Sequence, residues 1–289
     1  MNSKSRRRSK SRRRSKSRRR SKSRRRSKSS LKTLSEIPKI IHQIWIGKQP
    51  PPITSLYISS WINMPGWSHK LWTSSDLTQK NFPLTWKYIQ KSRAHGIALG
   101  NEMKRYAQIG DLMRLEILYH HGGVYVDTTF ESIKSLDGLF KKSYKFVVSN
   151  EDPCTFNCTD DDGLHYISNS FIASTPKNKN LEKLLNPNLL DTLDFKDSNI
   201  NYVTGPYFLG KNLKKKDGVT MLDTDLIFPI PEPNSAYRTI TKDPCYSKKP
   251  FKNSNIVLGK KNPVYIKFPC TNYPNSYMVK HWASGGSWI

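Results

Sequence analysis

The stretch from Glu102 to Asp127 constrains the fold more than any other part of the sequence. Apolar side chains cover most of the helical wheel of residues 102–121, which predicts a long and largely buried helix. Gly122-Gly123 ends this helix, because glycine accepts the left-handed backbone conformation of a helix C-terminus. Val124–Val126 is a short run typical of a buried strand, and Asp127 follows it directly. A helix that leads at once into a buried strand predicts an α/β fold.

The rest of the chain shows the same alternation of short strands and helices. Short apolar runs predict further strands at Lys39–Ile46, Lys70–Thr73, Lys145–Ser149, Ser170–Ser174 and Val219–Leu222. Further helices are predicted at Ile53–Ile62, Leu84–Ser92 and Asn180–Leu185. Prolines are frequent between Pro229 and Pro274, so loops are expected there. We expect one α/β domain whose sheet lies between layers of helices.

The N-terminus has a different composition. Residues 1–30 contain four copies of Ser-Arg-Arg-Arg-Ser-Lys and hold 17 of the 49 Lys and Arg residues, with no acidic residue. Such a segment cannot bury enough apolar surface to offset the entropy of ordering its backbone, so we expect a disordered basic tail. Residues 31–289 are then expected to form the folded domain. They contain 32 basic and 22 acidic residues, which gives a net charge near +10.

The sequence also allows a prediction of where the protein lies in the cell. No apolar run approaches the roughly 18 residues of a membrane-spanning helix, and the N-terminus lacks the apolar core of a signal peptide. We therefore expect a cytoplasmic protein without a transmembrane segment, or a nuclear one directed by its tail. The four cysteines are then expected as reduced thiols. The richness in Lys, Asn and Ile is typical of a microbial or giant-virus source.

Two charged side chains on the long helix allow two interpretations. Asp111 and Arg114 are three residues apart and share one face of a helix that is otherwise mostly apolar. Burying such charges is costly unless they are paired and hydrogen-bonded. The pair either forms an internal ion pair that fixes the helix in register or points into a polar ligand pocket.

Asp127 is the next candidate. It lies at the carboxyl end of a predicted strand, where ligands bind in open α/β sheets. A carboxylate there can hold a divalent metal or a ribose hydroxyl, although an Asp is also common in an ordinary strand-to-loop turn. The residue by itself leaves both possibilities open.

Several blocks together carry a family resemblance. The sequence from Asp111 to Asp127, with its Asp-x-x-Arg, Leu-Tyr and Gly-Gly-Val-Tyr-Val-Asp, closely resembles the core of glycosyltransferase family 32. This family includes fungal mannosyltransferases and bacterial capsule-sugar transferases, and the clostridial glucosylating toxins share the arrangement. Four more blocks are similar and occur in the same order: Ile37–Trp45, Ser168–Ser174, Thr204–Pro206, and His281-Trp282 with Ser287-Trp288.

The resemblance implies a GT-A fold, a single Rossmann-like domain that binds a nucleotide-sugar donor. It implies catalytic roles at the donor sugar for Asp111, Arg114 and Asp127. It further implies donor-binding roles for Trp45, Tyr125, Asn169, Ser287 and Trp288. Trp45 would lie near the nucleotide base, and Ser287 and Trp288 would close over the diphosphate. The implied reaction moves a hexose from a UDP- or GDP-sugar to a glycan or protein acceptor with retention of anomeric configuration.

The resemblance also implies a divalent cation, commonly Mn²⁺, with Asp127, Thr129 and His281 as its candidate ligands. The family signature is Asp-x-Asp, whereas this chain reads Asp127-Thr128-Thr129. A neutral hydroxyl is a poorer ligand than a carboxylate, so weaker metal binding is expected. Glu131 could compensate, basic residues could replace the metal, or activity could be lost. The literal Asp-x-Asp strings at Asp160–Asp162 and Asp223–Asp225 are interpreted as chance matches, with Asp225 the one to check.

A second function is suggested by the tail. A dense run of positive charge binds polyanions through counterion release, so the tail is expected to bind nucleic acid or anionic surfaces. The alternative function is therefore an inactive, transferase-like scaffold that binds nucleic acid through this tail, and Thr129 favours it. The charged and aromatic residues kept together in the folded domain favour an enzyme.

Overall fold

The computed structural model describes residues 36–94, 102–151, 166–193, 199–230 and 273–281, together with three short strands between 246 and 266. The chain separates into two units, residues 1–32 and 33–289. The predicted basic tail lies outside the described residues, so its disorder stays a prediction. No helix in the described part of the chain is long and apolar enough to cross a membrane.

A six-stranded sheet forms the centre of the second unit. Its spatial order is β2-β1-β3-β6-β5-β7, and β6 runs antiparallel to both of its neighbours, whereas the other adjacent pairs are parallel. The strands are β1 (Ile40–Trp45), β2 (Ser68–Thr73), β3 (Gly123–Val126), β5 (Phe146–Ser149), β6 (Phe171–Ser174) and β7 (Val219–Leu222). The inner strands β3, β5 and β6 are short and fully buried, as in a sheet covered on both faces.

Smaller strands and eight helices complete the described fold. β4 (Phe130–Ser132) pairs antiparallel with β11 (Met278–Lys280), and β10 (Val264–Ile266) lies between β8 (Tyr246–Ser247) and β9 (Val257–Leu258). The helices are α1 (Pro52–Ile62), α2 (Pro83–Ala94), α3 (Glu102–His121), α4 (Lys179–Leu184), α5 (Pro187–Leu190), α6 (Ile200–Val203), α7 (Pro206–Asn212) and α8 (Thr224–Ile227). A 3-10 turn spans Lys215–Asp217.

The alternation of side chains along the strands divides the core into two layers. In β3, Tyr125 points into a cluster built mainly on α2, α3, α4 and α7, whereas Val124 and Val126 point into a cluster with Trp61 of α1 and Phe228. Because every β3 side chain is buried, this strand lies at the centre of both layers.

Gly123 lets β1 and β3 approach each other closely. Its φ is +94°, and a Cβ at this position would lie 2.5 Å from the carbonyl oxygen of Ile40 in β1. Any other residue would therefore combine backbone strain with a steric clash. The glycine pair predicted to end α3 thus also positions the strand that leads to Asp127.

The predicted fold class is confirmed: the chain is mixed α/β with a mainly parallel sheet between helices. The long helix and β7 have the predicted bounds, and the other predicted elements differ by one or two residues at an end. The β4–β11 pair and the short helices α5 to α8 were not predicted. Loops rather than long elements were expected from Pro229 to Pro274, and the described residues there include three strands of only two or three residues.

Candidate active site

The candidate site lies at the edge of the sheet where the parallel strands end. Asp127 directly follows β3, and its backbone N–H donates to the carbonyl oxygen of Ser170 at 2.9 Å. Because β6 runs the opposite way, the residues that precede it, Asn169 and Ser170, meet the carboxyl end of β3. Ligands of open α/β sheets bind at this edge.

Arg114 lies between two carboxylates at this edge. Its Nη2 is 2.9 Å from Oδ1 of Asp111, and its Nη1 is 3.2 Å from Oδ1 of Asp127. The Arg114 side chain is 3% exposed, whereas that of Asp127 is 18% exposed. The internal ion pair considered from the sequence is therefore present, and the guanidinium group shares it with Asp127.

The environment sets the charges of this centre. Burial raises the pKa of Asp111 to about 6, although Arg114 and hydrogen bonds from Thr204 (Oγ1 to Oδ2, 2.7 Å) and Asn169 (Nδ2 to Oδ1, 2.8 Å) oppose the rise. Burial acts to lower the pKa of Arg114, but the negative groups around it raise the pKa overall. Arg114 is therefore a cation at every physiological pH, and Asp111 takes up a proton near pH 6.

Further contacts fix the orientation of Arg114. Its Nε donates to the carbonyl oxygen of Gly110 at 3.2 Å, its Nη1 also donates to that of Asn169, and its guanidinium carbon lies 4.5 Å from the centre of the Tyr125 ring. A planar guanidinium group with this many directed contacts cannot rotate freely. The positive charge is thus preorganised beside Asp127.

Asp127 offers one oxygen to a ligand. Oδ1 accepts hydrogen bonds from Arg114 and from the Tyr125 hydroxyl, the latter at 2.7 Å. Oδ2 has no hydrogen-bond partner among the described residues. Because the side chain is partly exposed and held through Oδ1, Oδ2 is the oxygen free to accept from a ligand hydroxyl or to bind a cation.

The other predicted donor-binding residues fall into three groups. Tyr125 and Asn169 belong to the Arg114 centre through their contacts with Asp127 and Asp111. Trp45 is nearly buried at the end of β1, where its Nε1 donates to the carbonyl oxygen of Lys48. Ser287 and Trp288 lie outside the described residues, as does the Asp160–Asp162 string.

The described residues form no cluster of three or more His, Cys, Asp or Glu side chains suited to a metal ion. Thr129 nevertheless carries a buried hydroxyl without a hydrogen-bond partner in the described part of the chain. The Thr129 hydroxyl and Oδ2 of Asp127 are both oxygen ligands, the type that hard cations prefer.

His281, whose metal role stays a prediction, contacts the side chains of Glu131 and Tyr57. Its Nε2 lies 3.0 Å from Oε2 of Glu131, and its ring stacks on that of Tyr57 with centroids 4.0 Å apart and planes 3° apart. Burial lowers the pKa of His281, and Glu131 only partly opposes this effect. Because a carboxylate accepts, Nε2 is the donor in the hydrogen bond to Glu131. In this arrangement Nε2 is not available to a cation, and Oε2 of Glu131 is occupied by the hydrogen bond from His281.

A second charged group at the same edge was not predicted from the sequence. Oε1 of Glu151 accepts from Lys280 at 2.9 Å, from Ser168 at 2.8 Å and from Ser170 at 3.2 Å, and the Tyr166 hydroxyl donates to Oε2 at 3.0 Å. Burial raises the pKa of Glu151, but Lys280 and these hydrogen bonds lower it overall. Glu151 lies two residues after the end of β5, much as Asp127 follows the end of β3. This position after a buried strand is the sequence feature from which Glu151 could have been predicted.

The fold and the site together define a class: an α/β domain with a preorganised cation and two carboxylates at the carboxyl edge of its sheet. Residues 51–146 match the family model described as "Glycosyltransferase sugar-binding region containing DXD motif". This stretch contains Asp111, Arg114, Tyr125, Asp127 and Thr129. The predicted resemblance is therefore confirmed over residues 51–146. The mixed α/β fold agrees with the α/β class that this resemblance implies.

The individual proteins that match this chain have low sequence identity to it. Inositol phosphoceramide mannosyltransferase 1 of Schizosaccharomyces pombe (strain 972 / ATCC 24843) is 26% identical over 148 residues, which are 50% of this chain and 40% of the relative. Among solved structures, PaToxG glycosyltransferase matches with a TM-score of 0.46 and 20% identity over 62% of this chain and 70% of that chain. The UDP-bound glycosyltransferase domain from the YGT toxin matches with a TM-score of 0.40 and 12% identity, covering 65% and 80%.

Proposed function

We propose that this protein is a glycosyltransferase that moves a hexose from a nucleotide-sugar donor to an acceptor hydroxyl with retention of anomeric configuration. The observation that carries the proposal is the position of Arg114 between Asp111 and Asp127, at the carboxyl edge of the sheet and within the matched sugar-binding region. A buried cation between two carboxylates offers both donors and acceptors to sugar hydroxyls.

The two carboxylates have different tasks in this proposal. Asp127 meets the donor sugar through Oδ2, because Oδ1 is already held by Arg114 and Tyr125. Asp111 accepts two hydrogen bonds and forms an ion pair with Arg114, so its main effect on the reaction is to hold Arg114 in place. Preorganised charge of this kind stabilises a transition state without reorganisation at the moment of reaction.

A divalent cation, commonly Mn²⁺ in such enzymes, would be held by Asp127 and Thr129. When bound, it would neutralise the negative charge of the departing diphosphate. Thr129 contributes a neutral oxygen where the family signature has a carboxylate, so we expect weaker cation binding than a second Asp would give. Trp45 by the base and the segment with Ser287 and Trp288 over the diphosphate complete the proposed donor site.

A UDP- or GDP-hexose is the proposed donor, and a glycan or a protein is the proposed acceptor. The enzyme is proposed to be cytoplasmic, or nuclear through its basic tail. The rival function is an inactive scaffold that binds nucleic acid, and the observation that favours it is Thr129 in place of the second carboxylate of the signature.

Donor hydrolysis by the full chain tests the proposal. A panel of UDP- and GDP-sugars is incubated with Mn²⁺ or with a chelator, and released nucleotide is measured. We expect one donor to be turned over, and the chelator to slow its turnover if Thr129 still allows a cation to bind. No turnover of any donor, combined with no UDP or GDP binding in calorimetry, would favour the scaffold.

A further inference from the structure

Three tyrosine rings contact one another beside the candidate active site, two of them stacked and the third edge-on. The rings of Tyr202 and Tyr207 are parallel, with centroids 4.2 Å apart and planes 2° apart, and the Tyr166 ring meets Tyr207 edge-on at 5.2 Å. Tyr202 is 55% exposed although it is stacked on a neighbour. We call Tyr166, Tyr202 and Tyr207 the tyrosine platform.

The platform is tied to the catalytic edge at two points. The Tyr166 hydroxyl donates to Glu151, whose other oxygen accepts from Ser170, the residue that receives the Asp127 N–H. Thr204, two residues after Tyr202, donates its hydroxyl to Asp111 at 2.7 Å. The platform is thus near the catalytic edge but contacts its carboxylates only through intervening residues.

The surface around Tyr202 is aromatic and polar rather than aliphatic. Along α6 and α7 the aliphatic side chains Val203 and Leu209 are buried, whereas Asn201, Tyr202 and Lys211 are exposed. This part of the described surface has no contiguous apolar patch of the kind that marks many protein and membrane contacts. A flat ring surrounded by hydrogen-bonding groups suits a ligand with one apolar face and a polar rim.

We propose that the tyrosine platform is the acceptor subsite and that it binds a saccharide ring stacked on Tyr202. This inference rests on the proposed function and adds to it that the acceptor is a glycan. The C–H face of a pyranose packs on an aromatic ring, while its hydroxyls reach the polar rim. Tyr207, which Tyr166 contacts edge-on, holds the Tyr202 ring in orientation, so little side-chain entropy is lost on binding. The platform lies outside the matched residues 51–146, which places acceptor recognition in a separate part of the chain from the sugar-binding region.

A binding experiment on the full chain tests the platform without requiring activity. Saturation-transfer NMR is recorded with methyl glycosides of mannose, glucose and galactose as probes. We expect saturation transfer from the wild-type protein to the ring protons of at least one glycoside. The affinity for this glycoside is expected to be roughly tenfold weaker in Tyr202→Ala and near normal in Tyr202→Phe, which keeps the aromatic ring. Ile62→Ala is the matched control, because Ile62 is 52% exposed on α1 and is not part of the platform.

A kinetic experiment separates this inference from the proposed function. With an active donor, Tyr202→Ala is expected to leave donor hydrolysis unchanged and to raise the KM for a glycan acceptor about tenfold. Glycoside binding that is absent in the wild type, or equal in wild type and Tyr202→Ala, would overturn the platform even if the donor is hydrolysed. Glycoside binding that depends on Tyr202 without any donor turnover would support the platform while contradicting the proposed transferase.

Discussion

At the scale of single residues, the site is organised around one cation. Arg114 contacts Asp111, Asp127 and the carbonyl oxygens of Gly110 and Asn169, and it is almost completely buried. Removing one partner of such a group leaves a buried charge without compensation, so the effects of single substitutions here are expected to be large and not additive. Asp127 is the partly exposed member and the one best suited to substitution.

Asp127→Ala is predicted to abolish turnover while the protein stays folded. Arg114 keeps its contact with Asp111, so the buried cation remains paired, but the oxygen proposed to meet the donor is lost. We expect donor turnover to fall at least about 100-fold, as for removal of other preorganised charge-stabilising groups. Initial rates and circular dichroism measure the two effects.

Asp225→Ala is the matched control for this variant. Asp225 belongs to the second literal Asp-x-Asp string, and its side chain is exposed on α8. Its substitution is expected to leave the rate within about twofold of wild type. Full activity of Asp127→Ala, or an equal loss in both variants, would show that the site has been misplaced.

His42 is predicted to make the protein sensitive to acid. Its Nε2 donates to the carbonyl oxygen of Gly122 at 3.0 Å, its Nδ1 accepts from Trp72 at 3.2 Å, and burial lowers its pKa from 6.5 to about 4. Between these values the unfolded chain binds the proton that the folded chain excludes. Stability from His42 is therefore complete above pH 6.5 and is lost as the pH falls towards 4, by about 3 kcal/mol in all.

Urea unfolding at pH 7 and pH 4.5 measures this effect. The loss of unfolding free energy on acidification is expected to be smaller for His42→Gln than for wild type, because glutamine can still donate to Gly122 but does not titrate. An NMR titration of the ring gives an independent value. A midpoint near pH 6.5 for His42 would contradict the prediction.

At the scale of elements, a buried carboxylate joins two helices. Glu116 of α3 accepts hydrogen bonds from the backbone N–H groups of Leu84 and Thr85, at 3.0 and 2.8 Å, and from the Thr85 hydroxyl. These N–H groups belong to the first turn of α2, which has no acidic residue of its own. Glu116 thus supplies the N-terminal cap that the local sequence of α2 lacks.

Glu116→Ala is predicted to lower the free energy of unfolding by about 3 kcal/mol. The substitution leaves buried donors at the start of α2 without acceptors, which costs about 1–3 kcal/mol for each group. Glu182→Ala is the control, because Glu182 is exposed on α4 and its removal is expected to cost less than about 0.5 kcal/mol. Urea denaturation compares the two variants, and equal midpoints would refute the capping role.

At the scale of the whole molecule, the charge is distributed unevenly. The net charge is +27, and 17 of the positive charges lie in residues 1–30. Binding of polyanions through counterion release depends on such a density of charge and weakens steeply with salt. We therefore predict that polyanion binding depends on the tail and that catalysis depends on residues 31–289.

Deletion of residues 1–30 is predicted to leave donor hydrolysis unchanged and to remove salt-sensitive nucleic-acid binding. Fluorescence anisotropy with a labelled oligonucleotide at 50 and 200 mM salt measures the binding. A full-length variant with the tail arginines replaced by glutamine is the control for chain length. If the truncated protein binds as strongly as the full chain at both salt concentrations, the folded domain rather than the tail carries the interaction.

The sequence by itself determined the α/β class, the long helix, the strand before Asp127 and the family resemblance. These features depend on local periodicity and on contiguous motifs, which a single sequence displays directly. For the same reason it gave Asp111 and Arg114 as partners, since residues three apart on a helix are neighbours whatever the fold.

Only the tertiary structure decided which distant residues complete the site. Lys280 meets Glu151 and His281 meets Glu131 because β11 pairs with β4, and the last residues of a chain carry no local signal of such a pairing. The sharing of Arg114 with Asp127 likewise depends on how α3 packs against β3. The packing of elements that are distant in sequence depends on the burial of whole faces rather than on any short segment. The sequence therefore identified the central residues but not the partners that distant elements supply.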